Sequence, residues 1–257
     1  FNYASKPSSG AVDFDFFHIA LASGLRENGE YSVSSPDKNI VVSYNPQKSV
    51  YSVSYKGQPL LLDSKLGVIR EDDDFTKGLK VLRVSAPVQV NDSYSMLTAK
   101  KKNITYTATE TVFETINGSG RRMNIIFRVS NDGVAFRYEF PESSVDIKKI
   151  TSEETSFHFQ AGTKAWLQPK AEAQSGFEHS NPSYEAHYMM DIEAGIPSPT
   201  KNGWVYPALF RYKDVWMLIT EAALGRTYCG TALQQNSPDR EYKIGFPQAP
   251  EVFSKGI

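Results

Sequence analysis

The side chains best able to do chemistry gather in residues 176–191, which carry His179, Tyr184, Glu185, His187 and Tyr188. Glu185 and His187 are two apart, so on a strand both project from one face, where they can share a metal ion or a substrate. The plainer alternative is a surface strand of mixed polar residues. Trp166 and Trp204 have the flat apolar faces on which sugars stack, although tryptophan in a β-sandwich commonly serves as core. The acidic run Glu71-Asp72-Asp73-Asp74 has the oxygen chemistry of a calcium site but lacks the alternate spacing that turns carboxylates toward one ion, and reads as a solvated loop. Lys100-Lys101-Lys102 and Arg121-Arg122 read as solubilising charges at hairpin ends, with no interleaved aromatics to make a nucleic-acid surface. Cys229 is the only cysteine, which excludes an internal disulfide and a cysteine-based zinc site, and its surroundings suggest a small core residue. Gly-x-Ser-x-Gly, a phosphate-cradling glycine loop and His-Glu-x-x-His are all missing.

The elements that must position these residues are strands. In Val50–Tyr55, Tyr51, Val53 and Tyr55 share one face, and Lys56-Gly57 turns the chain into a second strand from Gln58. Residues 105–116 alternate threonine with Tyr106, Ala108, Val112 and Ile116, and Asn117-Gly118-Ser119-Gly120 supplies the reversal. In residues 124–140, Ile125, Phe127 and Val129 face the same way as Val134, Phe136, Tyr138 and Phe140. A turn at Asp132-Gly133 pairs Val129 with Phe136 and sets Arg128 opposite Arg137, which calls for a carboxylate or anion between them. Residues 206–221 read as a hairpin turning at Lys213-Asp214, with Val215–Ile219 apolar on both faces and therefore covered on both. The best helical candidates are short, near residues 192–195 and 221–225. Many strands with closely spaced turns imply stacked antiparallel sheets.

Composition agrees. The chain has 257 residues, 40% hydrophobic and 12% aromatic, enough for one large β domain and inconsistent with whole-chain disorder. With 29 acidic against 28 basic residues the net charge is −1, so no basic field exists for nucleic acid. No apolar stretch approaches the roughly 18 residues of a membrane span. Sequons at Asn91, Asn103 and Asn117 do not decide the compartment. The segment before residue 31 reads either as the remnant of a processed leader or as an edge strand. Residues 245–256 have linker composition, from which a fragment is expected.

Taken in order, Tyr55-Lys56-Gly57, Ser64-Lys65-Leu66-Gly67, the run from Phe127-Arg128-Val129 through Ser130-Asn131-Asp132-Gly133 to Phe136-Arg137-Tyr138, Ala165-Trp166, Tyr184-Glu185 and Ile219-Thr220-Glu221-Ala222 resemble the amino-terminal domain of glycoside hydrolase family 97. The resemblance implies a large antiparallel β-supersandwich, galactose-mutarotase-like with few short helices, over residues 31–253. Residues 1–30 stay unassigned, and 254–257 begin a linker to a (β/α)8 barrel that is the expected partner. It implies a calcium-dependent exo-α-glycosidase as parent, which removes terminal α-linked glucose or galactose from an oligosaccharide and is bacterial, periplasmic or secreted. The catalytic carboxylates would lie on the barrel, so no catalytic residue is expected here and the chain alone is expected to be inactive. Glu185, in the Tyr184-Glu185 step, matches the family's calcium-ligand glutamate. One carboxylate is far from the six to eight oxygens that calcium takes, so the barrel would supply the rest. His179 and His187 are poor calcium ligands and, with Trp166, are candidate substrate contacts. Two other readings compete: a free-standing carbohydrate-binding module, and a mutarotase-type enzyme using His and Glu as general acid and base.

Overall fold

The computed structural model describes residues 29–98, 100–171, 186–225 and 228–247. In chain order the strands are β1 Tyr31–Ser34, β2 Ile40–Asn45, β3 Val50–Tyr55, β4 Gln58–Lys65, β5 Val68–Arg70, β6 Asp73–Asp74, β7 Lys80–Val84, β8 Val88–Ser95, β9 Asn103–Ile116 and β10 Arg122–Ser130. They continue as β11 Gly133–Glu139, β12 Ile150–Glu153, β13 Ser156–His158, β14 Lys164–Leu167, β15 Met189–Glu193, β16 Ala208–Tyr212, β17 Val215–Ile219, β18 Ala232–Leu233 and β19 Glu241–Gly245. All pairings are antiparallel. β1-β2-β3-β4 form a meander, β11-β10-β9-β7 a larger sheet to which β8 adds alongside β9, and β15-β14-β16-β17 a third main sheet; β12-β5-β6 and β13-β19-β18 are smaller. This is the expected all-β sandwich, and among the described residues the only helix is the 3-10 turn Pro238–Arg240.

The meander stacks on the larger sheet through aromatic rings. Tyr44 meets Phe113 edge-on at 5.1 Å and Phe127 at 5.8 Å, and Tyr51 meets Phe136 at 5.3 Å. Such offset and edge-on pairs add to the area they bury. A second aromatic group, Phe159 stacked on Phe210 at 3.9 Å with Tyr242 edge-on at 5.0 Å from Phe210, joins β16 to β19. Gly67, in one of the quoted motifs, has φ +118°, and a Cβ there would lie 2.4 Å from the Phe75 carbonyl oxygen, so backbone passes where any side chain would stand.

The Lys56-Gly57 and Lys213-Asp214 hairpins form as expected, with Tyr55 opposite Gln58 and Tyr212 opposite Val215. The 124–140 hairpin forms in a different register. Its two-residue turn is Asn131-Asp132, since Ser130 pairs with Gly133; Phe127 therefore faces Phe136, and Arg128 faces Ala135 instead of Arg137. The Ser130 hydroxyl holds this turn, donating to Asp132 at 2.7 Å. Both apolar sets still land on one side because the shift is by two residues in the partner. Each arginine has its own carboxylate: Arg128 bonds Glu110 on β9, and Arg137 bonds Glu139 at 2.8 Å.

Three further expectations are corrected. Residues 192–195 lie at the end of β15 and the turn after it, and 221–225 hold no helix. Cys229 is exposed instead of core. The strand expected over 105–116 forms as β9, with Thr111, Phe113 and Thr115 buried and Phe113 meeting Tyr31 and Tyr44. β17 is a sheet edge rather than a covered strand, with Trp216 52% and Leu218 59% exposed.

Candidate functional site

Glu185 and His179 lie outside the described residues, as do Asn181 and Tyr184. His187 is exposed, two residues before β15. Met189 pairs with Leu167, so the chain enters β15 beside the end of β14 and one position from Trp166. The structure thus brings the approach to β15 and the Trp166 strand to one sheet. Trp204 is fully buried and bridges Pro169 and Leu233, which makes it core.

Trp166 sits on the outer face of that sheet. Direct pairing of Lys164 with Arg211, Arg211 with Trp216, Trp166 with Leu209 and Leu209 with Leu218 puts these six side chains on one surface. The Trp166 and Trp216 rings meet at 4.7 Å, tilted by 46°. The Arg211 guanidinium lies over both, 5.5 Å and 5.3 Å from their centroids, with Asp191 at 3.8 Å. The Lys164–Glu193 ion pair flanks the group.

Along β17, all five of whose residues border it, runs a cleft of about 590 Å³ between the meander, β11 and β17. Tyr51, Tyr55, Phe136, Phe157 and Met217 line it, and Asn131, Asp132 and Asp214 from two hairpin turns stand among its walls.

A polar constellation that spacing did not reveal lies beyond the end of β17. Glu153, which closes β12, is only 8% exposed. Burial pushes its carboxyl above the ordinary range, the Thr155 hydroxyl opposes this, and the charge of Glu221 adds to it. Glu221 is anchored by the Thr231 amide, at 3.0 Å and 3.1 Å to its two oxygens, and by the Thr231 hydroxyl. The Tyr206 and Tyr138 phenols are pushed up by burial, and both feel the negative charge of Glu153. Cys229, although exposed as a residue, has its thiol raised first by partial burial of the sulfur and then by Glu221 and Glu153, so it is no activated nucleophile. The group sets a carboxyl with a raised pKa beside hydroxyls, a structural arrangement, because Glu153 faces protein instead of solvent. Glu221 was within reach of the sequence as part of the Ile219-Thr220-Glu221-Ala222 step, whereas nothing around Glu153 announced its burial.

The acidic run is used structurally. Arg70, with its guanidinium 5.2 Å from the Phe75 ring and 4.8 Å from Phe140, donates to Asp72 at 2.5 Å, and this bond holds the Asp72 carboxyl below its usual range. Asp74 accepts from the Thr76 amide at 2.8 Å. Among the described residues no three His, Cys, Asp or Glu side chains converge on a possible metal position, and no helix is long and apolar enough to cross a membrane.

Comparison with known proteins gives a family match across this whole fold. Residues 33–250 match the family model described as Glycosyl-hydrolase 97 N-terminal. A probable retaining alpha-galactosidase of Streptomyces bingchenggensis is 26% identical over 218 residues, which are 85% of this chain and 32% of that protein. Among solved structures, a beta-arabinopyranosidase is similar at 34% identity and a TM-score of 0.79, covering 85% of this chain and 35% of its own. A glycoside hydrolase family 97 enzyme from Pseudoalteromonas sp., in complex with acarbose, shares the fold at 23% identity and a TM-score of 0.68, over 83% of this chain and 31% of that one. The chain therefore spans about a third of the length of these relatives.

Proposed function

Because the chain belongs to the glycosyl-hydrolase 97 N-terminal family, we propose that it is the β-sandwich domain of an exo-acting, calcium-dependent glycosidase, and that its own residues shape and complete a site whose catalytic carboxylates lie elsewhere in the polypeptide. The observation that carries this reading is the match over residues 33–250 by relatives about three times as long. Glycoside hydrolysis needs two accessible carboxyl groups at a set separation. Glu153 and Glu221, whose charges influence one another, do not fit, since one is buried and the other is tied to Thr231.

Glu185 is the proposed calcium ligand on this side of the site, with His179 and His187 beside it as sugar contacts. A hard cation takes carboxylate oxygen, and several further oxygens must come from the rest of the protein. The substrate is a terminal glycoside with a galactose-type or glucose-type ring. The names of two relatives, alpha-galactosidase and beta-arabinopyranosidase, favour the first: a β-L-arabinopyranoside has the ring configuration of an α-D-galactopyranoside without its exocyclic carbon. An exported protein, periplasmic or secreted, suits such a substrate.

The test is hydrolysis of nitrophenyl α-galactoside, β-L-arabinopyranoside and α-glucoside by the protein of the full reading frame and by this chain alone. Activity is expected only in the former, and turnover by the chain alone would sink the reading. Calorimetry with calcium should show no sub-millimolar site in the chain alone. In the longer protein Glu185→Gln should weaken calcium binding and turnover together; unchanged values would remove Glu185 from the site.

A further inference from the structure

β17 is an anomaly of placement. All five of its residues, Val215, Trp216, Met217, Leu218 and Ile219, are apolar, yet Trp216 and Leu218 are exposed, the other three are only half-buried, and among the described residues the strand has no partner on its far side. An apolar strand at an open sheet edge invites adventitious pairing, and folded proteins ordinarily blunt such edges with charge, proline or a covering element. None of these protects β17: its two flanking turn residues are Lys213 and Asp214, and the strand itself is uncharged.

The surface on the outer side has the anatomy of a protein interface. Its centre is Trp166, Trp216 and Arg211, the residue types that dominate binding energy at interfaces, with Leu209 and Leu218 beside them. Its rim is charged but internally neutralised, Lys164 by Glu193 and Arg211 by Asp191, so a partner meets an apolar centre without stranding a charge. Continuing past β17, the exposed residues Ala222, Ala223 and Leu224 lead toward Tyr228, against which Phe246 packs edge-on at 6.1 Å. The last described part of the chain therefore lies beside the connection that leaves β17.

We infer that the β14-β16-β17 outer face, with Trp216 and Leu218 at its centre, is the seat of the remaining polypeptide of the same protein. The occupant is argued from length, because some two-thirds of each relative lies outside the segment that matches this chain. A domain of that size resting on an otherwise bare apolar edge removes it from water and closes the sheet. The inference rests on the proposed function in that a longer glycosidase polypeptide supplies the cover.

The experiment is acrylamide quenching of tryptophan fluorescence in this chain and in the protein of the full reading frame, both carrying Trp166→Phe. The chain has three tryptophans and Trp204 is buried; in each protein the Trp216 contribution is the difference between this variant and the matching Trp166→Phe/Trp216→Phe variant, which cancels every tryptophan elsewhere. Quenching is expected to fall severalfold from the chain to the longer protein, and Leu218→Asp in the longer protein should restore part of it. Equal quenching in both would overturn the inference. So would protection in the chain alone that grows with protein concentration, which assigns the face to a second copy, or that follows addition of malto- or galacto-oligosaccharide, which makes it a sugar platform. A longer protein that hides Trp216 but cleaves no glycoside would sink the proposed function and leave the interface. One that cleaves glycosides with Trp216 freely quenched does the reverse.

Discussion

β10 and β17 look alike as text and differ entirely in the fold. Met123-Asn124-Ile125-Ile126-Phe127 and Val215-Trp216-Met217-Leu218-Ile219 are both short runs rich in apolar residues, the composition of a strand covered on two faces. β10 is such a strand: it lies between β9 and β11, and Met123, Ile125, Ile126 and Phe127 are all buried. Among the described residues β17 has a neighbour on one side only, and its outer face shows large side chains to solvent. An apolar run thus states that a surface must be covered, without stating by what. In β10 the cover is this chain's own sheets, and in β17 it is the proposed remainder of the protein.

The contrast can be broken by truncation. Phe127→Ala removes a ring in contact with Tyr44, Tyr51, Phe113 and Phe136 and should cost the chain about 3–5 kcal/mol in urea unfolding. A loss similar to that of Trp216→Ala would end the distinction between the two strands. Next in size is Asn117→Ala. The Asn117 side chain accepts from the Ser119 and Arg121 amides and donates to the Asp74 carbonyl, holding the β9–β10 turn against β6. Its loss should cost roughly 1–2 kcal/mol by the same measurement.

Glu153→Gln tests the buried acid behind β17. The folded pKa of Glu153 is raised above its ordinary 4.5, so the native state holds its proton more tightly than the unfolded chain. Stability is then lost as pH rises from about 4.5 through the folded pKa. The substitution should raise the Tm near neutral pH, and the gain should close as pH falls below the ordinary carboxylate value. A gain that persists in acid would show that burial of the charge is not its cause. Asp37, Asp72 and Asp74 have lowered values and act in the opposite sense, but they are common to both proteins and cancel in the difference.

Trp216→Ala should change the stability of the chain alone by about 1 kcal/mol or less, as expected for a half-exposed side chain. In the longer protein the loss should be clearly greater. Smallest is Arg137→Ala, which breaks an exposed ion pair with Glu139 and should fall within about 0.5 kcal/mol. Were Arg137 opposite Arg128, its removal would instead stabilise, so the sign of the change checks the register.

Alternation and turn chemistry made the sandwich legible. Tyr51, Val53 and Tyr55 could share a face only on a strand, and Lys56-Gly57 could only reverse it. The 124–140 hairpin was legible in kind but not in register, because Asn131-Asp132 and Asp132-Gly133 are both acceptable turns and either keeps the apolar residues on one side. The Ser130 hydroxyl bonds Asp132 in the turn that forms, a detail that the alternation of apolar residues does not carry. The site was less legible. Residues around Glu185 announced chemistry by type, while the burial of Glu153 depends on strands more than fifty residues away along the chain.

The sequence by itself determined that this chain is a β-sandwich and which family it resembles, because two-residue periodicity and ordered motifs are local properties that survive without coordinates. Only the tertiary structure decided which strands end as edges. Edge or centre is a matter of how many neighbours a strand finds, and that number comes from the whole chain's topology, not from the residues of the strand. It left Trp216 and Leu218 of the apolar strand Val215–Ile219 exposed.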